Sequence, residues 1–135
     1  MYTSEQTDSV LLAVNGTLMR GLELENNMIK VGAAFLCEAT TERAYRLWSI
    51  RDAYPAMIRV NPEDPEAAGI AVEVWRVPAA GLTEILAGEP AGLSIGKVKL
   101  DDGRTVFGVI GEPIAVKGMK EITSFGGWRR YIEHT

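Results

Sequence analysis

The sequence has very little of what the common catalytic and metal-binding motifs require. Its 135 residues include one cysteine and one histidine. Cys37 cannot form a disulfide within the chain, which favours a reducing, cytoplasmic location. His134 lies next to the C-terminus, where fraying is expected. Neither a Ser-His-Asp or Cys-His mechanism nor a histidine-ligated zinc site is therefore expected.

Long apolar runs and basic clusters are missing as well. No apolar run approaches the length of about 20 residues that spans a bilayer. Residues 1–9 are polar and carry no basic stretch followed by an apolar one, so we expect a flexible tail and no signal peptide. The net charge is −4, and Arg129-Arg130 is the only basic pair. Neither nucleic acid nor a membrane is a predicted partner.

The apolar content is high enough for one self-sufficient core. Apolar residues make up 47% of the chain, which allows a domain of this length to fold without disulfides or a structural metal. We expect one domain over residues 10–135. Cys37 lies in the apolar run 33–37 and is predicted to be a buried, inert thiol rather than a nucleophile.

Strand-like runs dominate the chain, and a few short helices separate them. The strongest local signal is Asp101-Asp102-Gly103-Arg104 between two such runs, which predicts an antiparallel hairpin. The predicted strands are 10–14, 34–38, 44–50, 57–60, 70–77, 93–100 and 105–110. Tyr54-Pro55 is interpreted as a break before the fourth strand, and 61–69 as an exposed loop.

Two or three short helices are predicted between and after these strands. One has Leu24, Met28 and Val31 on a single face and ends at Gly32. A second follows Pro78 and ends at Gly88, and a terminal one lies within 126–132. The expected class is α+β, with the strands in a small, mainly antiparallel mixed barrel, since closure buries strand edges.

The first candidate site is the loop Asn15-Gly16-Thr17-Leu18, which directly follows the predicted buried strand 10–14. A glycine-containing turn there can present consecutive backbone N–H groups to a carboxylate or an oxyanion. An ordinary strand-ending turn has the same composition, so the local sequence leaves both interpretations open.

The second candidate is Glu89, which comes directly after the helix that ends at Gly88. A carboxyl group at a helix end that faces a cavity is desolvated, which raises its pKa towards the range of a general acid or base. The alternative is a solvated surface glutamate. Glu73, within strand 70–77, is expected to face solvent, and Trp48, Trp75 and Trp128 are expected to pack in the core.

Most of the chain resembles the C-terminal domain of allophanate hydrolases. The most specific part is the closing motif Glu121-Ile122-Thr123-Ser124-Phe125-Gly126-Gly127-Trp128-Arg129-Arg130-Tyr131-Ile132, preceded by Ile95-Gly96-Lys97-Val98 and Leu100-Asp101-Asp102-Gly103. Val14-Asn15-Gly16, Gly21, Gly32-Ala33 and Tyr45-Arg46-Leu47 are similar to its first half. No amidase domain with a Ser-Ser-Lys triad precedes these segments, so the domain is expected to stand alone.

The resemblance implies the wider γ-glutamylcyclotransferase-like fold and a pocket within it. That group carries Tyr-Gly-Ser/Thr-Leu in its substrate loop, which places Asn15, Gly16, Thr17 and Leu18 as substrate-binding residues. Its acid/base glutamate corresponds to Glu89. The sequence departs from the group at Asn15, where tyrosine is usual, and at Pro90, where glycine is usual.

A further departure concerns chemistry. Allophanate hydrolases often carry a histidine where this chain has Leu18, so the decarboxylation of N-carboxycarbamate attributed to some of them is not carried over.

Two functions follow from the resemblance. In the first, the pocket binds or converts a small carboxylated amide, a urea-type compound or a γ-glutamyl compound, with Glu89 as acid/base and with no cofactor or metal. This function would lie in amide or urea-type nitrogen metabolism. In the second, the domain is a non-catalytic assembly or accessory module that pairs with itself as a homodimer or with a separately encoded amidase. Exposed Trp or Tyr clusters would favour the second function, because such residues anchor interfaces.

Overall fold

The computed structural model describes residues 8–134, which fold into eight strands and three α-helices. The strands are β1 (Ser9–Val14), β2 (Ala34–Thr40), β3 (Tyr45–Ile50), β4 (Tyr54–Arg59), β5 (Ala71–Pro78), β6 (Leu93–Lys99), β7 (Thr105–Gly111) and β8 (Lys120–Glu121). The α-helices are α1 (Glu25–Lys30), α2 (Ala79–Ala87) and α3 (Trp128–Glu133), and 3-10 helices cover Pro113–Val116 and Thr123–Phe125.

The α+β class and the mainly antiparallel pairing are confirmed, whereas the barrel is wrong. The strands form two separate sheets, a five-stranded one in the order β2-β5-β1-β7-β6 and a three-stranded one in the order β4-β3-β8. Only β1 and β7 run parallel. The edge strands β2 and β6 of the larger sheet meet at a single bridge between Thr41 and Leu100, so the sheet curls without closing.

The predicted hairpin is the β6–β7 pair. Seven residue pairs join the two strands, from Leu93–Gly111 to Lys99–Thr105. In the turn, Gly103 has φ +94°, a conformation that favours glycine, and the Asp102 carboxylate accepts hydrogen bonds from the Arg104 backbone and side chain. The Asp-Gly signal therefore predicted the turn for the right physical reason.

The interpretation of Tyr54-Pro55 as a break is wrong. Both residues belong to β4, where Tyr54 pairs with Ile50 and Pro55 with Ser49. β4 is an edge strand, and a proline is tolerated there because the missing N–H leaves no neighbouring strand unpaired. The turn before it contains Arg51 and Asp52, both at positive φ.

Both faces of β5 carry buried apolar residues around Glu73, and this overturns the expectation for that residue. In β5, Val72 and Val74 pack in one apolar cluster, while Trp75 and Val77 belong to the main core. β5 is also a central strand, since it lies between β2 and β1. Glu73 is only 2% exposed and is not on a polar face.

The helices are short, and each packs at least one buried side chain against the main core. Gly32 has φ +82° just beyond α1, as its predicted stop requires, and α2 begins directly after Pro78. Trp128 and Tyr131 bury α3 against the core. α2 is the longest helix with 9 residues, and within residues 8–134 none has the length and apolarity needed to cross a membrane.

The other expectations concern the N-terminus, Cys37 and the tryptophans. Residues 1–7 of the expected tail lie outside the described residues, and Ser9 already belongs to β1. Cys37 is half-buried rather than buried, because it lies in the edge strand β2. Trp75 and Trp128 are core residues, whereas Trp48 is half-buried.

Candidate functional site

The loop after β1 is a buried turn with unused hydrogen-bond donors. The Gly16 carbonyl accepts the N–H of Met19 at 3.0 Å, and the Thr17 carbonyl accepts the N–H of Leu24 at 2.8 Å. Residues 15–18 are all buried. Within residues 8–134, no acceptor is found for the backbone N–H groups of Gly16, Thr17 and Leu18. Since buried N–H groups are almost always paired, three in succession indicate a place for a ligand or water oxygen.

Asn15 ties the start of this loop to two other strands. Its side-chain Nδ2 donates to the carbonyl of Val109 in β7 at 2.9 Å and lies 3.9 Å from the Sδ atom of Met57 in β4. Asn15 is 4% exposed. The Val109 carbonyl accepts only from the nitrogen of the carboxamide, so this hydrogen bond fixes which end of the Asn15 side chain is the NH₂ group.

Gly16 allows the loop to approach β4. A Cβ atom at this position would lie 2.5 Å from Cδ and 2.7 Å from Cγ of Pro55. Such distances are far shorter than van der Waals contact, so a side chain would force the loop and β4 apart. The glycine is needed here for close packing.

Glu89 follows α2 and Gly88, and its carboxyl group is partly buried. Burial raises its pKa from 4.5 to about 7. In the part of the chain that the structure describes, this carboxyl makes no hydrogen bond and no ion pair that would offset the desolvation. Near neutral pH it therefore exchanges readily between its protonated and ionised forms.

The loop and Glu89 line one cavity, although they are far apart in sequence. The other walls come from Val14, Tyr54, Pro55, Leu93 and Val109. The volume that the centre of a water molecule can reach is about 10 Å³, which is room for about one water molecule. The structure thus brings all five predicted site residues to the same small cavity.

The five residues contribute different groups. Leu18 is 2% exposed, and its side chain belongs to the main core, so only its backbone is available to a ligand. Asn15 and Thr17 are the buried polar side chains at the cavity. Sequence reasoning did not identify Tyr54, Leu93 or Val109 as wall residues. No local pattern distinguishes them, because they reach the cavity only through strand pairing.

The buried carboxylate of Glu73, with two half-exposed arginines, holds the chain just beyond the loop. Oε1 of Glu73 accepts the backbone N–H of Arg20 at 2.9 Å and the Trp75 indole N–H at 3.2 Å. Oε2 accepts Nε of Arg20 at 3.1 Å and Nη2 of Arg129 at 3.2 Å. Residues 15–20 are therefore held at both ends, by the bond of Asn15 to Val109 and by the bond of Arg20 to Glu73, on either side of the unused N–H groups.

A larger groove of about 690 Å³ lies between the end of β2 and α3. Its one buried acidic group is Glu73, whose oxygens are already occupied by four donors. The smaller cavity, by contrast, contains buried polar groups that no protein group satisfies. We therefore take the smaller cavity as the candidate site. Within residues 8–134, no three His, Cys, Asp or Glu side chains are grouped as metal ligands would be.

Comparison with known proteins defines the class of fold first. A gamma-glutamyl cyclotransferase of known structure is 17% identical, with a TM-score of 0.52 over 84% of this chain and 69% of its own. At that identity the likeness concerns the fold alone. A uropathogenic E. coli-specific protein is much more similar, with 52% identity and a TM-score of 0.89 over 94% of this chain and 98% of its own.

The family follows from the sequence as well as from the fold. The pattern of the allophanate hydrolase C-terminal domain matches residues 10–133, and the chain belongs to this family. Kluyveromyces lactis allophanate hydrolase is 32% identical, with a TM-score of 0.88 over 98% of this chain and 22% of its own. Saccharomyces cerevisiae urea amidolyase is 33% identical over 96% of this chain. The chain spans only 7% of the length of that curated relative.

Proposed function

We propose that the cavity binds and converts a small amide, urea-type or γ-glutamyl compound, with Glu89 as the acid/base residue. The observation that carries this proposal is the meeting of Glu89 with the unused N–H groups of residues 16–18 at one cavity. The N–H groups hold an oxygen of the ligand, as donors in an oxyanion hole do. Glu89 moves a proton on a ligand nitrogen. The scheme needs no cofactor.

The electrostatics of Glu89 suit this role. A group whose pKa is about 7 is close to half-protonated at neutral pH, which is the condition for efficient general acid or base catalysis. The raised value comes from burial alone, so a ligand that excludes more water from the cavity will favour the protonated form further.

The size of the cavity favours compact ligands within this class. Room for about one water molecule admits a single oxygen or N–H group of an amide or urea, with the rest of the ligand in the mouth of the cavity. Pockets that enclose larger ligands have volumes of roughly 300–1,000 Å³. The kinship with allophanate hydrolase and urea amidolyase supports the same choice, in amide or urea-type nitrogen metabolism.

The test is a turnover assay on three proteins. Wild type, Glu89→Gln and Glu84→Gln are incubated with a mass-spectrometric panel of small carboxylated amides, ureas and γ-glutamyl amines. Glu84 is an exposed glutamate on α2 and serves as the matched control. We expect turnover by wild type and by Glu84→Gln, with an inflection in the pH–rate profile near 7, and none by Glu89→Gln. Normal turnover by Glu89→Gln would refute the role of this residue.

A second function has one observation in its favour. Because the chain spans 7% of the length of urea amidolyase, the matching domain of that relative is part of a much longer polypeptide. An accessory module for a separately encoded amidase, or a homodimeric assembly module, would fit that relationship. Against it, Trp75, Trp128, Tyr45 and Tyr131 are buried, so they form no exposed aromatic cluster. Light scattering of the purified protein, alone and with a candidate amidase, would decide: a monomer that binds no amidase argues against this function.

A further inference from the structure

The oxygen of the Asn15 side chain is an acceptor without a partner among residues 8–134. The nitrogen of this carboxamide donates to Val109, so Oδ1 is the opposite end. No hydrogen bond to Oδ1 comes from the described residues. Since the described residues contain no fully enclosed side-chain nitrogen or oxygen that lacks a partner, Oδ1 is not fully enclosed, although the residue is only 4% exposed. Asn15 lines the cavity, so we take Oδ1 to be reached from there.

This acceptor directly precedes the three donors of the loop. Asn15 offers a carbonyl oxygen, and Gly16, Thr17 and Leu18 offer backbone N–H groups, all at one small cavity. A ligand that satisfies both must carry an oxygen acceptor and an N–H or O–H donor close together. A carboxamide or a urea carries them on the same carbon atom, as O=C–N–H.

A carboxylate has the wrong pattern for this cavity. Both of its oxygens are acceptors, so one would meet the N–H groups while the other would face Oδ1 of Asn15. A ketone or an ester would leave Oδ1 buried and unpaired. Asn15 cannot rotate its carboxamide to adapt, because the Val109 carbonyl would then face an oxygen.

We infer that the cavity selects a carboxamide or urea group over a carboxylate or a plain carbonyl, and that Asn15 is the residue that makes this selection. The inference rests on the proposal that this cavity is the ligand site. This selection narrows the class of ligand and also predicts its orientation: in a carboxylated amide, the amide end faces the cavity. An acceptor that the ligand encloses and leaves unpaired costs enough to weaken binding by about fivefold or more.

Acetamide and acetone provide a matched pair of probes. Both are neutral and have four non-hydrogen atoms, and they differ by NH₂ against CH₃. Each is titrated into uniformly ¹⁵N-labelled wild-type protein, and the shifts of the Gly16, Thr17 and Leu18 amide signals are followed. We expect acetamide to shift these signals with a dissociation constant about fivefold or more below that of acetone. Acetate, as a third probe, is also expected to bind more weakly than acetamide.

The outcomes separate the two hypotheses. Equal binding of acetamide and acetone at these amides would overturn the selection by Asn15 and leave the cavity as a ligand site. If neither compound shifts the three signals, the cavity is no ligand site, and the proposed function fails with the inference. In Asn15→Leu, which keeps a similar volume without the acceptor, the preference for acetamide over acetone is expected to disappear. Should this variant not fold, the comparison of the probes on wild type still decides.

Discussion

Glu89 is expected to lower the stability of the protein at neutral and alkaline pH. Below about pH 4.5 its carboxyl is protonated in both the folded and the unfolded chain. As the pH rises from 4.5 to about 7, the unfolded chain loses this proton before the folded chain does, so the free energy of unfolding falls. Above about pH 7 both states are ionised, and the free energy of unfolding falls no further on account of Glu89. The difference between the two pKa values corresponds to about 3 kcal/mol. Because the carboxyl is partly in contact with water, screening reduces this to about 1–2 kcal/mol.

Glu89→Gln removes the titration and keeps the shape of the side chain. We expect the variant and wild type to have similar free energies of unfolding near pH 4.5, and the variant to be more stable by about 1–2 kcal/mol at pH 8. Urea denaturation of both proteins across this pH range measures the difference, which cancels the titration of all other groups. If the difference between the two proteins does not change with pH, Glu89 is not desolvated and the argument for its acid/base role fails. The same substitution is expected to abolish turnover. The glutamate therefore supports function although it lowers stability at neutral pH.

Two further substitutions test the supports of the loop. Gly16→Ala places a Cβ atom against Pro55 and is expected to destabilise the protein by about 1–3 kcal/mol in urea denaturation, and the added substitution Pro55→Ala should recover part of this loss. An additive double mutant would mean that the two residues do not clash. Glu73→Gln weakens the bonds of a buried carboxylate to Arg20 and Arg129 and is expected to lower the free energy of unfolding by about 2–3 kcal/mol. Glu38 is exposed and also pairs with Arg20, so Glu38→Gln should lower it by less than about 1 kcal/mol. Equal effects of the two substitutions would contradict the importance of the buried carboxylate.

Local patterns in the sequence predicted most of the secondary structure. The β6–β7 hairpin follows from Asp102-Gly103 between two strand-like runs, since the turn needs a residue that adopts positive φ. The stop of α1 at Gly32 and the start of α2 after Pro78 follow from the same kind of backbone preference. These features depend on residues within a few positions of one another.

The wrong predictions all concern interactions between distant segments. Tyr54-Pro55 has the composition of a break, but proline is tolerated there because β4 is an edge strand. The alternation of Glu73 with Val72 and Val74 predicts a solvated face, but apolar residues are buried on both sides of β5 around Glu73. The barrel was expected in order to bury the strand edges. Instead, β3, β4 and β8 form a sheet of their own.

The candidate site likewise depends partly on local sequence patterns and partly on contacts between distant segments. The sequence by itself determined the family, the strand that ends just before Asn15, the turn at Gly16 and the glutamate after α2, because each depends on a local pattern or a motif. Only the tertiary structure decided that Glu89 reaches the loop and that burial raises its pKa to about 7. It also decided which end of the Asn15 carboxamide faces the cavity, through a hydrogen bond to a residue 94 positions away. Desolvation and hydrogen-bond partners are properties of the surroundings of a side chain, and in this protein those surroundings come from strands far apart in the sequence.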